Sequence, residues 1–288
     1  MPDRLTVTAP ASSANLGPGF DCLAVALELR NRVDITATGG DGVSVSVAGE
    51  GAGGVARDGS NLFLRAFASV GADPAGIAFA MQNAVPFARG LGSSAATIAA
   101  GTAAGLAWQG VDADALPAAA ALEGHPDNVA AALLGGVTLA WTAAGGARAM
   151  RLSGCPVEFV AVVAAEELAT DRARAALPAE VAHADAVHTA ARAALLVAAL
   201  EQGCTDALAD ALDDRLHEPF RAPLAPLLGA VRERLSGLPA FGATLSGAGP
   251  SVLVWCEPGA GEAVAGALAG LGGRALPLAV AERGVTLD

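Results

Sequence analysis

The sequence predicts an α+β protein of two domains, a mixed α/β first half and a second half built as a split βαβ sandwich. Three observations predict it. The chain has 288 residues, more than one core of ordinary size encloses. Its first half interleaves segments of apolar period two with helical ones. In the second half the order runs strand, helix, strand, strand, helix, strand, the order of the ferredoxin-like split βαβ unit.

In chain order, "RLTVTA", "RVDITAT" and "VSVSVA" alternate polar and apolar residues and predict strands. "NLFLRAFASVGAD" predicts a helix. "SSAATIAAGTAAGLAW" predicts a second, apolar on nearly every side and therefore buried. "GGVTLAW" closes this half as a strand. Around "TAAGGARAMRLSG" (142–154) the pattern dissolves into small residues, which sets the expected domains at 1–150 and 155–288. Beyond it "VEFVAVVA" predicts a strand. A long helical stretch follows in which Leu196, Leu200, Cys204, Leu208 and Leu212 step by four, with Gly203 expected to split it. "GATLSG", an "AGP" turn, "SVLVWC", a helix over 261–271 and a strand "ALPLAV" complete the chain.

Composition excludes several chemistries. All 17 basic residues are arginine, so there is no lysine Schiff base, no pyridoxal anchor and no lysine-bearing phosphate loop. A net charge of −12 argues against nucleic acid, whose phosphates demand a basic face. No apolar run has the length of a membrane span. The opening "MPDRLTVTAP" carries charges and a proline, unlike a secretory leader. Cys22, Cys155, Cys204 and Cys256 lie far apart without paired spacing, so reduced thiols and a cytoplasmic setting are expected.

Three stretches carry chemistry. In "PFARGLGSSAATIAAG" (86–101), Gly90 and Gly92 precede Ser93 and Ser94 at a helix start. That arrangement presents free backbone amides and the positive helix end to an anion. A serine-capped glycine turn is the bland alternative. In "LEGHPDNV" (122–129), Glu123, His125, Asp127 and Asn128 bring four polar groups together in a chain only 16% charged. If Pro126 opens a helix, His125 stands at its entrance with Asp127 and Asn128 on the first turn. Glu123 suits Mg²⁺, which takes oxygen ligands beside phosphates. A zinc site is not expected, since one histidine and no spaced cysteine are nearby. The third, "PASSANLGPGFDCLAVAL" (10–27), is expected as a long ordered loop between two strands. A further small-residue turn, "LSGAGPSV" (245–252), permits close backbone approach.

Taken together, "APASSANLGPGFD", "VPFARGLGSSAA", "EGHPDNVAAALLGG" and "LSGAGPSV" resemble the GHMP small-molecule kinases, and within them the homoserine-phosphorylating members, from residue 4 to about 256. The resemblance implies the two-domain GHMP kinase fold, with an N-terminal ATP-binding domain and a ferredoxin-like C-terminal domain. It implies transfer of the ATP γ-phosphoryl group to the side-chain hydroxyl of L-homoserine, on the route to threonine, in a homodimer. The ATP loop then falls on Pro86, Phe87, Ala88, Arg89, Gly90, Leu91, Gly92, Ser93, Ser94, Ala95 and Ala96. Amides from Arg89 to Ala95 would surround the phosphates, with the Arg89 side chain a further candidate and Thr170 near the γ-phosphate. Ser94 and Glu123 would hold Mg²⁺. Arg174 and Arg221 would grip the substrate carboxylate; on their own they read as surface charges. Asn15 and His125 match substrate-contacting positions, and Asp21 an acidic one near the amino or hydroxyl end.

The resemblance leaves the proton open. Either Asp127 removes it, or Asp127 caps a helix while Asn128 with Asp21 positions the hydroxyl; the second is favoured. The sequence departs from the family pattern at Ala24, where glycine is usual. Two other readings stay open. One is a GHMP kinase with another acceptor, of the mevalonate or diphosphocytidyl-methylerythritol type. The other is a non-catalytic amino-acid or nucleotide sensor.

Overall fold

The computed structural model describes residues 2–288. β1 (Arg4–Asn15) and β2 (Gly19–Ala37) form a long antiparallel hairpin. The expected loop over 10–27 is therefore two strand ends around a tight turn at 16–18. Its prolines, serines and glycines make irregularities instead of a loop: the register shifts at Pro10/Ala11 and at Ala14/Asn15. Asn15, Leu16, Gly17 and Asp21 all have positive φ. Bulges of this kind re-aim side chains at the end of a sheet, and here they turn Asn15 and Asp21 toward the same cavity.

β3 (Ser44–Gly49) runs parallel to β4 (Ile77–Asn83), which pairs with β2. Between them α1 (Leu62–Ser69) begins at Asn61, whose side chain accepts from the amides of Phe63 and Leu64. α2 (Ser93–Gln109), α3 (Leu116–Glu123) and α4 (Asp127–Leu134) complete the helical layer. Ala96, Ala100, Ala104 and Trp108 of α2 meet Phe63, Phe67 and Phe79 in a buried cluster. Helix α2 is apolar all round because its other faces are also covered: Ala95 and Ile98 pack with Leu116 and Val129. β5 (Val137–Ala143) pairs with β2 and with β6 (Gly146–Arg151). The stretch 142–154, expected to be patternless, thus holds a hairpin. Only Ala147 and Ala149 mark its inner face, and alanines give a weak alternation.

The second sheet has the order β10-β7-β9-β8, every pair antiparallel. Its strands are β7 (Glu158–Ala164), β8 (Ala240–Leu245), β9 (Val252–Cys256) and β10 (Gly273–Leu278). Between β7 and β8 lie α5 (Thr170–Ala175), α6 (His183–Gln202), α7 (Leu208–Ala211), α8 (Glu218–Arg221) and α9 (Leu227–Arg234). α10 (Gly261–Leu268) connects β9 to β10. Gly203 ends α6 in the left-handed conformation, which splits the helical stretch as expected.

β7 reads as an unbroken apolar run because both its faces are covered. Val160 and Val162 meet α9 and α10 through Leu228, Val231 and Val264. Phe159, Ala161 and Val163 instead join Leu23, Leu27, Leu196 and Trp255 in a cluster shared by both sheets. β11 (Thr286–Leu287) returns to pair with β1 of the first sheet. Among the described residues no helix is long and apolar enough to cross a membrane, and all four cysteines are unpaired.

Candidate active site

The start of α2, the β1–β2 turn, the start of α4 and the start of α5 converge on one cavity of about 330 Å³. At its α2 end the first intrahelical bond runs from the Ala96 amide to the Gly92 carbonyl, at 2.8 Å. The amides of Ser93, Ser94 and Ala95 precede it and have no carbonyl within the helix. Gly92 makes this opening with φ of 64°, and a Cβ there would collide with Ser12 Oγ. Ser93 Oγ is buried without a hydrogen-bond partner. A buried hydroxyl left alone costs about 1–3 kcal/mol, so a polar ligand at this point would remove a standing penalty.

Beside it, Ser94 Oγ donates to Glu123 Oε1 at 2.7 Å. Burial pushes the Glu123 carboxyl above its usual range, and the Ser94 hydrogen bond opposes that. α4 begins at Pro126, as the sequence suggests. Asp127 is buried; its Oδ1 accepts from the Asn128 amide at 2.6 Å and lies 3.1 Å from His125 Nδ1. That contact holds the His125 imidazole above its usual pKa. Asn128 Oδ1 accepts from Ser12 Oγ at 2.8 Å.

At the far end two arginines differ sharply. Arg174 donates to both oxygens of Asp21, at 3.1 and 2.8 Å, a bidentate pair with both side chains about a third exposed. Arg221 is 2% exposed and makes no ion pair among the described residues. Its Nε reaches the Ala173 carbonyl at 3.3 Å, and Nη1 lies 3.3 Å from His217 Nδ1. Burial, and after it the neighbouring Arg174, pull its pKa below the usual guanidinium range. Asn15 joins this end to the 245–252 turn: its Nδ2 donates to the Gly247 carbonyl at 2.7 Å, and its Oδ1 accepts from the Asp21 amide at 3.0 Å.

All the expected site residues except Ala95 and Ala96 line this cavity. Those two side chains are fully buried in the core, and the Ala96 amide is spent on Gly92, so Ala96 offers nothing to an anion. The Arg89 side chain is largely engaged elsewhere. It donates to the carbonyls of Phe87, Ala164 and Ala165 and pairs with Glu167. This ties the glycine loop to the end of β7 and commits most of the guanidinium's donors to protein acceptors. Sequence reasoning missed Ser12, Phe20 and His217, which back the lining residues Asn128 and Arg221, and an apolar end of the cavity formed by Val55, Leu62 and Met81 with Asn61 and Asn83. "ASSAN", "GPGFD" and "LHEPFR" hold the first three, but nothing in these phrases shows which side chain faces inward.

A glycine-bearing helix start with a carboxylate beside it faces a pair of arginines across one cavity, an arrangement able to hold a phosphate-bearing ligand next to a small acid. The model of the GHMP kinase N-terminal domain matches residues 61–136, and that of the GHMP kinase C-terminal domain matches 196–272. The homoserine kinase of Streptomyces coelicolor is 42% identical over 295 residues, covering 98% of this chain and 93% of that one. The homoserine kinase of Gloeobacter violaceus is 43% identical, covering 92% of each. The crystal structure of homoserine kinase from Cytophaga hutchinsonii superposes with a TM-score of 0.87 at 27% identity, covering 100% of this chain and 98% of that one. A 4-(cytidine 5'-diphospho)-2C-methyl-D-erythritol kinase at 20% identity and TM-score 0.65 shares the fold. The chain belongs to the GHMP kinases and, within them, to the homoserine kinase family.

Proposed function

We propose that this protein transfers the γ-phosphoryl group of ATP to the side-chain hydroxyl of L-homoserine, giving O-phospho-L-homoserine. The observation that carries the reading is the buried, unpaired guanidinium of Arg221 in the same cavity as the open start of α2. A buried cation without a counter-ion is costly, and an acceptor carboxylate supplies one. Homoserine bears an ammonium as well, which suits Asp21. Its two charges therefore match the Asp21 and Arg174 pair together with Arg221, whereas mevalonate has no cationic group for Asp21.

The amides of Ser93, Ser94 and Ala95 bind the triphosphate, and Ser93 Oγ gains the partner it lacks. Thr170, first residue of α5, lies by the γ-phosphate. The apolar end around Val55, Leu62 and Met81, with Asn61 and Asn83, receives the base. Ser94 and Glu123 are oxygen donors of the kind Mg²⁺ takes and would hold it. When bound, the ion would supply charge neutralisation to the phosphates.

Phosphoryl transfer passes through a loose transition state, so alignment carries much of the rate. Asp127 Oδ1 is occupied by the α4 amide and His125, which supports its role as a helix-start brace. Asn128, braced by Ser12, aligns the acceptor hydroxyl with Asp21. The working form is a cytoplasmic homodimer; free cysteines suit a reducing compartment, and a gel-filtration mass of one chain contradicts the dimer. The test of the reaction is ADP release from Mg·ATP with a panel of alcohols. Release with L-homoserine and not with mevalonate is expected. Release with mevalonate alone gives the site another acceptor, and release with neither favours a non-catalytic sensor.

A further inference from the structure

We propose that His217 is a positioning residue which sets the direction of Arg221 and thereby selects acceptors that carry a carboxylate. The inference rests on the homoserine reading and adds a residue to it. His217 is fully buried at the start of α8. Its Nε2 lies 2.8 Å from the Gly17 carbonyl, which accepts hydrogen bonds only. Its Nδ1 lies 3.3 Å from Arg221 Nη1, which donates only. Both contacts are satisfied together by the tautomer that carries its proton on Nε2 and a lone pair on Nδ1.

The rest of the surroundings hold the ring still. Phe20 stacks on it, with ring centroids 5.1 Å apart and 23° between planes. The Arg221 guanidinium carbon lies 5.2 Å from the centre of the same Phe20 ring. Asp214 accepts from the main-chain amides of His217 and Glu218, each at 2.8 Å, and its Oδ2 lies 3.6 Å from His217 Nε2. One imidazole thus fastens the β1–β2 turn, which carries Asn15 and Asp21, to the guanidinium that faces them. Arg221 has no carboxylate to fix its orientation, so the Nδ1 lone pair at 3.3 Å is the one side-chain acceptor that holds it; the other two acceptors are carbonyls at 3.3 and 3.5 Å. A guanidinium must be aligned to meet a carboxylate in its plane, and alignment lost by rotation is lost as substrate binding.

Two amide variants separate the two bonds. In His217→Asn the side-chain oxygen takes the place of Nδ1, keeping an acceptor for Arg221 and dropping the bond to Gly17. In His217→Gln the side-chain nitrogen takes the place of Nε2, keeping the bond to Gly17 and dropping the acceptor. We expect His217→Gln to raise the KM for L-homoserine at least tenfold, and His217→Asn to leave it within about threefold. The KM for ATP should stay within twofold in both. The preference for L-homoserine over 3-aminopropan-1-ol, the same molecule without its carboxylate, should shrink in His217→Gln by the factor its KM rises. Equal losses in the two variants, or a loss shared by ATP and the amino alcohol, would reduce His217 to a support of the turn and overturn the proposal. Should either variant fail to fold, ¹⁵N spectra of the intact wild-type imidazoles decide: protonation at Nε2 is required, and a proton on Nδ1 refutes the arrangement. Absence of homoserine-dependent ADP release in the wild type would instead refute the parent reading, whatever the tautomer.

Discussion

The two ends of the cavity handle charge by opposite means. At the α2 end, main-chain amides and hydroxyls stand at the cavity, and the nearest guanidinium, Arg89, is largely spent on carbonyls and Glu167. At the acceptor end the work falls to side-chain charges, one pair satisfied (Arg174 with Asp21) and one guanidinium left over. The difference teaches why a lysine-free chain loses nothing as a nucleotide-binding protein. Helix starts bind phosphate through geometry, while a zwitterion needs named charges in named places.

Substitutions at the two ends should therefore fail in different substrates. The largest effect belongs to Arg221→Ala. Truncating one partner of a buried charged contact costs about 2–5 kcal/mol, so kcat/KM for homoserine should fall by about 30- to 4,000-fold with the KM for ATP unchanged. Equal loss in both substrates would erase the division. Next, Glu123→Gln removes a charged hydrogen-bond acceptor worth about 1.5–3 kcal/mol. Titrating Mg²⁺ in the steady-state assay should show half-saturation raised about 10–100-fold, with homoserine affinity kept. Gly92→Ala must place a side chain at positive φ, at about 1–2 kcal/mol, and against Ser12. A lower melting temperature and an ATP KM raised about tenfold are expected, and an unchanged ATP KM would move the phosphates elsewhere.

The smallest effect sharpens the proton question. A general base contributes about 10²–10⁴-fold, whereas a brace contributes little to chemistry, so Asp127→Asn should lower kcat less than about tenfold. A drop of several thousandfold in a folded variant would make Asp127 the base. The same variant carries a pH signature. Asp127 raises the His125 pKa, so the stabilisation is fully present below the unfolded histidine value of about 6.5 and is lost as pH rises through the higher folded value. The melting-temperature gap between wild type and Asp127→Asn should be widest below about pH 6.5 and should narrow as pH rises; a gap that widens instead contradicts the contact.

What the sequence made legible follows the same division. The α2 start was visible because glycine, glycine, serine and serine ahead of an apolar helix leave few other uses for that spacing. Pro126 and the four polar residues around it were visible for the same reason. The hairpin over 10–27 was hidden because its turn residues signal a loop, and only the strand pairing shows them to be bulges. Residues 146–151 were hidden because alanine alternates with arginine and methionine too weakly to mark a face. The ties of Arg89 were hidden because a cation in a phosphate loop invites a phosphate, and no local pattern reveals three carbonyls arriving from Phe87 and the end of β7. His217 and Phe20, 197 positions apart in the chain, meet only through the fold.

The most direct test is a crystal structure with Mg²⁺, a non-hydrolysable ATP analogue and L-homoserine bound together. The account predicts the triphosphate on the amides of Ser93, Ser94 and Ala95 and the homoserine carboxylate on Arg221, with its ammonium at Asp21. A triphosphate seated away from Gly92 and Ser94, or a homoserine whose carboxylate leaves Arg221 without an anion, would contradict it.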